Sequence, residues 1–256
     1  MNNITSCMDK NKSLFIVIIL CFFLGWVTRI LYYIKYPVQP RDVYAYLYEM
    51  ENWEKEQRSN DTFTVSPHVP YLSLYLMNLP HKIMKCDIKK GGICVNVMVG
   101  QLIIILSILS FRVLSDNKVG LWVVGLVTST HPTLIQYSCV LLRENTYLLF
   151  CIISINLLIL WYKRKSIIYI FLGGVTAALS FLCRYEGLEI CVIYILMILF
   201  HFNTLRIKRL FVHLIGFLII YVTSIYVTSA IIDKDFRLKM IYSEICYDNR
   251  VIEKEL

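Results

Sequence analysis

Residues 13–34 read SLFIVIILCFFLGWVTRILYYI, with Arg29 as the one charge in the run. A helix rises about 1.5 Å per residue, so roughly 20 apolar residues cross a bilayer core of about 30 Å. The run is too long for the apolar region of a signal peptide. Arg29, Tyr32, Tyr33 and Lys35 also stand where a small-residue cleavage site would have to be. The segment reads as an anchor that is retained in the membrane.

The rest of the chain repeats this pattern. Further apolar runs lie at Ile93–Phe111, Val119–Leu141, Thr146–Trp161, Ile167–Cys183, Leu188–Phe202 and Leu210–Ile232. The runs at 146–161 and 188–202 are short and span only if polar flanks extend the helix or a bundle surrounds them. The expected fold is therefore all-α: a multi-pass helical bundle of about seven transmembrane helices, with six as the rival count. Composition agrees. The 256 residues are 57% hydrophobic and 17% charged, against about 45–50% and 25% for soluble domains. This excludes an ordinary cytosolic enzyme, a disordered chain and a fibrous one. No repeat or Pro-rich linker divides the chain, so residues 1–256 are read as a single domain with a short C-terminal tail at 233–256.

Lys and Arg set the expected orientation. Lys10, Lys12, Arg112, Lys118, Lys163, Arg164, Lys165, Arg206, Lys208 and Arg209 flank one set of span ends, whereas the opposite short loops carry Arg143 and Arg184. The positive-inside rule puts the N-terminus in the cytoplasm of a cell-membrane protein. The basic tail fits six spans better than seven. The net charge of +8 is thus assigned to topology and not to nucleic acid. Nine Cys include no C-x-x-C pair, and most lie in or beside apolar runs, where Cys behaves as a small hydrophobe.

One outer loop is large, from about residue 35 to 92. Within it, 42–58 and 69–84 read as two interfacial helices rich in Tyr and Leu at helical spacing. In the fifth run, Gly173, Gly174, Ala177 and Ala178 allow close helix approach, read as packing within the chain in preference to dimerisation.

The candidate chemistry sits at the outer ends of spans, where charge near hydrocarbon costs about 2.5–3.5 kcal/mol. Asp42 follows the first span, Arg143 and Glu144 open the fourth, and Arg184 and Glu186 close the fifth. The topology puts all of them on one side. Arginine forks hold phosphate oxygens, and a carboxylate can act as base or metal ligand. Each residue also has a plain structural role. Asp42 can cap the helix it precedes, Glu144 suits a helix N-terminus, the arginines can anchor at headgroups, and Arg184 can pair with Glu186. His131, beside Pro132, reads as a packed polar residue.

Pro40-Arg41-Asp42-x-x-x-Tyr46, Pro67-x-x-Pro70-Tyr71-Leu72, His131-Pro132, Leu142-Arg143-Glu144-Asn145 and Gly173-Gly174 through Cys183-Arg184-Tyr185-Glu186-Gly187 occur in this order. Over roughly residues 13–200 the pattern resembles glycosyltransferase family 39, the dolichyl-phosphate-mannose-protein mannosyltransferase type of the GT-C superfamily. The chain is similar to its N-terminal transmembrane module. The resemblance implies an inverting transfer of a hexose or pentose from a polyprenyl-phosphate sugar to a lipid, glycan or protein acceptor on the outer face. It makes Asp42 and Glu144 the catalytic carboxylates. Arg184, with Arg143 second, would bind the donor phosphate, and Arg41, Tyr46 and Glu186 would line the same pocket. A divalent metal, Mg or Mn, is optional and would sit on Glu144. The alternative is a non-catalytic or truncated module acting as a partner membrane subunit.

Overall fold

A computed structural model describes residues 2–36, 40–59, 71–200 and 207–232, with side chains for all of these except 2–11, 41, 52–59, 207–209 and 232. Helix α1 spans Asn2–Lys35 and α2 Arg41–Ser59, followed by α3 Tyr71–Met84, α4 Ile88–Leu114, α5 Lys118–Thr130 and α6 Pro132–Cys139. Then come α7 Glu144–Arg164, α8 Ile167–Cys183, a 3-10 turn at Tyr185–Gly187, α9 Leu188–Phe200 and α10 Ile207–Ile232. The described residues contain helices and no strands. The expected all-α class is thus the one observed. Residues 60–70, which hold Pro67 and Pro70, and the tail at 233–256 lie outside the described residues.

Among the described residues, four helices are long and apolar enough to cross a membrane: Lys12–Lys35, Ile88–Leu114, Glu144–Arg164 and Leu210–Ile231. Glu144 and Arg164 show how the short run at 146–161 reaches that length, because polar residues at both ends join the helix. Local chemistry explains the boundaries. Asp87 caps α4 by accepting from the Lys90 amide at 2.9 Å, and Asn117 caps α5 by accepting from Val119 and Gly120. The expected single run at Val119–Leu141 is corrected, since it breaks into α5 and α6 at His131. Pro132 lacks an N–H and pushes the preceding residue into extended backbone, as His131 shows at φ −62°, ψ 122°. Pro132 then opens α6, where a missing N–H costs nothing. His131 is exposed at this break, contrary to its reading as a packed residue.

Two sub-bundles share α4 and α7 as their seam. In the first, Val17 and Cys21 of α1, Ile104 and Ile108 of α4 and Leu121 of α5 form one core. In the second, α7–α10 bury Trp161, Ile170, Ala177, Ala178, Tyr194 and Phe217. Val99, Ile103 and Leu149 join the halves. A further cluster, with Val43 and Met50 of α2, Leu74 and Met77 of α3, Leu141, and Cys183 of α8, closes one end of the bundle. That closed end carries the candidate site.

Candidate active site at one end of the bundle

α4 and α7 both begin at this end and α8 finishes there, so three segments far apart in sequence meet. The link between α6 and α7 is irregular, with Val140 extended at φ −120°, ψ 150°. Irregular backbone beside a bilayer is tolerated only where its polar groups find protein partners. Asn96 of α4, fully buried, supplies them. Its amide donates to the Val140 carbonyl at 2.6 Å and to the Leu142 carbonyl at 3.1 Å. The Asn145 amide donates back to the Asn96 carbonyl at 2.5 Å. This three-way tie fixes the start of α7 and therefore the directions of Arg143 and Glu144.

The second arm of the site is the turn after α8. Arg184 is extended, and the Gly187 amide donates to the Arg184 carbonyl at 2.8 Å. The turn folds back over the end of α8 so tightly that a Cβ on Gly187 would overlap the Phe181 amide and the Ser180 carbonyl carbon. Only glycine allows that approach.

Arg184 bridges both arms. Its Nη1 donates to Glu144 Oε1 at 3.3 Å, and its Nε lies 2.8 Å from Glu186 Oε1. The Glu144 side chain is 18% exposed and that of Glu186 is 48%. Glu144 Oε2 is buried with no hydrogen-bond partner among the described residues. Burial acts against the Arg184 charge, but its bond to Glu186 and the fields of both glutamates outweigh it and push its pKa up. Burial likewise raises the Glu186 carboxyl, yet its own backbone amide, Arg184 and then Arg143 pull it below the ordinary value.

The third arm is α2. Tyr46 is half-buried, and burial above all pushes its phenol up. Four charges act on it: Arg143 and Arg184 downward, Glu144 and Asp42 upward. Tyr46 is thus the side chain on which the separate candidates converge. Asp42 itself is exposed in the first turn of α2, where the helix dipole favours an anion. It makes no ion pair among the described residues. The side chain of Arg41 lies outside the described residues.

Mg²⁺ and Mn²⁺ take one or two carboxylates together with waters and substrate phosphates. Here Glu144 Oε1 already faces Arg184, and no group of three His, Cys, Asp or Glu suited to an ion occurs among the described residues. The seven cysteines whose side chains are described are all free.

Asn96, Asn145 and Gly187 were not singled out from the sequence as site-building residues. Asn96 carried a signal, being an amide inside an otherwise apolar run. The need for Gly187 became visible only once the turn was seen against α8. Comparison with protein-family models, curated proteins and solved structures gives no match.

Proposed function

We propose that the chain is a membrane glycosyltransferase that moves a sugar from a polyprenyl-phosphate donor to an acceptor hydroxyl on the outer face of the membrane. One observation carries the reading: two arginines, two glutamates, Asp42 and Tyr46, drawn from three distant segments, gather at one end of the bundle. Such a set offers a base and fixed cations side by side. Asp42, the exposed carboxylate, takes the proton from the acceptor hydroxyl. That oxygen then attacks the anomeric carbon, the bond from this carbon to the phosphate oxygen breaks, and the polyprenyl phosphate leaves with the electron pair. Charge grows on the phosphate as the bond breaks, so a cation held in place stabilises the transition state most. Arg184 fills that role, with Arg143 beside it, once the donor phosphate displaces the half-exposed Glu186. Glu144 stays and keeps Arg184 aimed. No step needs a metal.

The reading extends to topology. In it the chain crosses a cell membrane about seven times, with α8, α9 and the broken α5–α6 pair crossing as short helices shielded by the bundle. α2 and α3 lie along the outer interface, and the N-terminus is cytoplasmic. α8, with 17 residues, is about 25 Å long, close to the thickness of a hydrocarbon core.

The test uses purified protein in nanodiscs with radiolabelled polyprenyl-phosphate sugars. Asp42→Asn lowers transfer by about 10²–10⁴-fold, the usual worth of a general base, while donor binding persists. Arg184→Ala weakens donor binding itself. A parent chain that neither binds donor nor transfers sugar sinks the enzyme reading. The second reading, a non-catalytic module acting as a partner subunit, is favoured by one fact: Arg184 already faces two glutamates. In that case the Arg184–Glu144 pair is a strut, and Arg184→Met strands the Glu144 carboxylate and lowers stability, read by thermal unfolding.

A further inference from the structure

The link between α3 and α4 presents two exposed apolar side chains, Ile83 and Met84, with lysines on both sides of them in the sequence. Ile83 and Met84, at the end of α3, are each 75% exposed. The inner face of the same helix is buried through Leu72, Leu74 and Met77. The tip is held rigidly. Lys85 takes left-handed backbone at φ 52°, and its amide donates to the His81 carbonyl at 2.9 Å. His81 Nδ1 bonds the Cys86 carbonyl, and Asp87 caps α4 through the Lys90 amide. Glycine would adopt the left-handed position with less strain. The sequence places a lysine there and so keeps a cation at the tip. Lys85 and Lys90 are exposed and Lys89 half-buried, and Lys82 sits over the Tyr75 ring, 5.5 Å from its centre. Against these four stands one carboxylate, the exposed Asp87.

An apolar peg flanked by amines matches a leaflet whose headgroups are anionic: the peg enters the acyl boundary while the amines meet phosphates. A solvated loop would have no use for Ile83 and Met84 so fully exposed, and a protein groove with acidic walls would not need them adjacent to a bilayer-spanning helix. We propose that residues 82–90 dock on anionic phospholipid headgroups at the end of the bundle that also carries Glu144 and Arg184. The proposal uses only the membrane character of the chain and is independent of the transferase reading.

The test places a photo-crosslinking amino acid, p-benzoylphenylalanine, at position 84 of the full chain. The protein is reconstituted in nanodiscs of phosphatidylcholine with a minor share of phosphatidylglycerol, and the crosslinked lipids are identified by mass. The expected result is lipid adducts in which phosphatidylglycerol exceeds its mole fraction roughly fivefold, about what one lysine at an anionic surface sustains. The triple variant Lys85→Gln, Lys89→Gln, Lys90→Gln keeps the lipid adducts but returns them to the mole fraction. These lysines lie on the surface, and an unchanged gel-filtration profile checks that the variant is folded. The proposal is overturned by adducts to protein alone or by an absence of lipid adducts. It is equally overturned if the parent shows no enrichment, or if inorganic phosphate abolishes enrichment where chloride of equal ionic strength does not. That last result would identify a free-phosphate site in place of a docking surface.

Discussion

The two halves of the bundle are held by different physics. The α1–α4–α5–α6 half packs around polar groups. Arg29 is 1% exposed, and its guanidinium reaches the Gly25 carbonyl at 3.0 Å and the Gly100 carbonyl at 3.5 Å. Thr28 donates to the Ser129 carbonyl at 3.0 Å, and the Cys139 thiol faces the Arg29 carbonyl at 3.3 Å. The α7–α10 half packs around small residues and rings. Tyr194 and Phe217 stack with ring centres 4.8 Å apart and planes 8° from parallel. Gly173 gives the Tyr194 phenol its place, and the Tyr194 hydroxyl donates to the Ser154 carbonyl at 2.6 Å. Between helices in lipid there is little hydrophobic drive, so association rests on close packing and hydrogen bonds. One half relies more on the first and the other more on the second. The polar half can therefore tolerate loss of a single tie, because helix carbonyls stay bonded within their own helices. The aromatic half cannot lose a ring without leaving a hole.

Substitutions graded by size can break this contrast. Tyr194→Ala should cost about 4 kcal/mol, as for other buried aromatic truncations, read by equilibrium unfolding in mixed micelles. Gly173→Ala should follow at about 2 kcal/mol, since the added methyl meets a fully buried ring that has no free direction to move. Gly100→Ala meets the small Ser138 hydroxyl, which has other staggered rotamers, and the buried Arg29 guanidinium, so about 1 kcal/mol is expected. If Gly100→Ala proves costlier than Gly173→Ala, the polar half is the rigid one and the contrast is inverted. Arg29→Met should lie within about 1 kcal/mol of the parent. The two carbonyls that Arg29 meets belong to helix interiors, and removing a buried charge offsets the lost bonds.

The smallest effect concerns pH at the site end. The Glu186 carboxyl sits below its ordinary value in the folded protein. Its pairing with Arg184 therefore contributes stability above the unfolded value of about 4.3, and this contribution is lost as pH falls through the folded value. Unfolding profiles of Glu186→Gln and the parent should coincide at low pH and separate above it. Coincidence across the whole range would mean that the pair contributes nothing.

How much of this was legible differs between the fold and the site. The charges at Asp42, Arg143, Glu144, Arg184 and Glu186 stood out because ionised groups beside long apolar runs are costly and few. Their facing one side followed from counting spans. The pairing did not follow: Arg184 could have turned to lipid headgroups, to Glu186 alone or to Glu144. The residues that aim the site were weaker still. Asn96 looks like a stray amide until the carbonyls of Val140 and Leu142 are seen to need a donor.

By itself the sequence determined that the chain is helical and belongs in a bilayer, because apolar runs of this length leave backbone groups no partner but the helix's own. The helix ends at Asp87, Asn117 and Pro132, seen in the structure, also rest on local chemistry, through side-chain caps and the missing proline N–H. Only the tertiary structure decided that the run at 119–141 breaks in two, which helices share α4, and that Arg184 bridges Glu144 and Glu186. The reason is range. Capping and helix length are settled within a few residues of chain. An ion pair between residues 144 and 184 depends on how far α7 and α8 slide against each other, and that register is set by Gly173, Tyr194 and the other side chains between them.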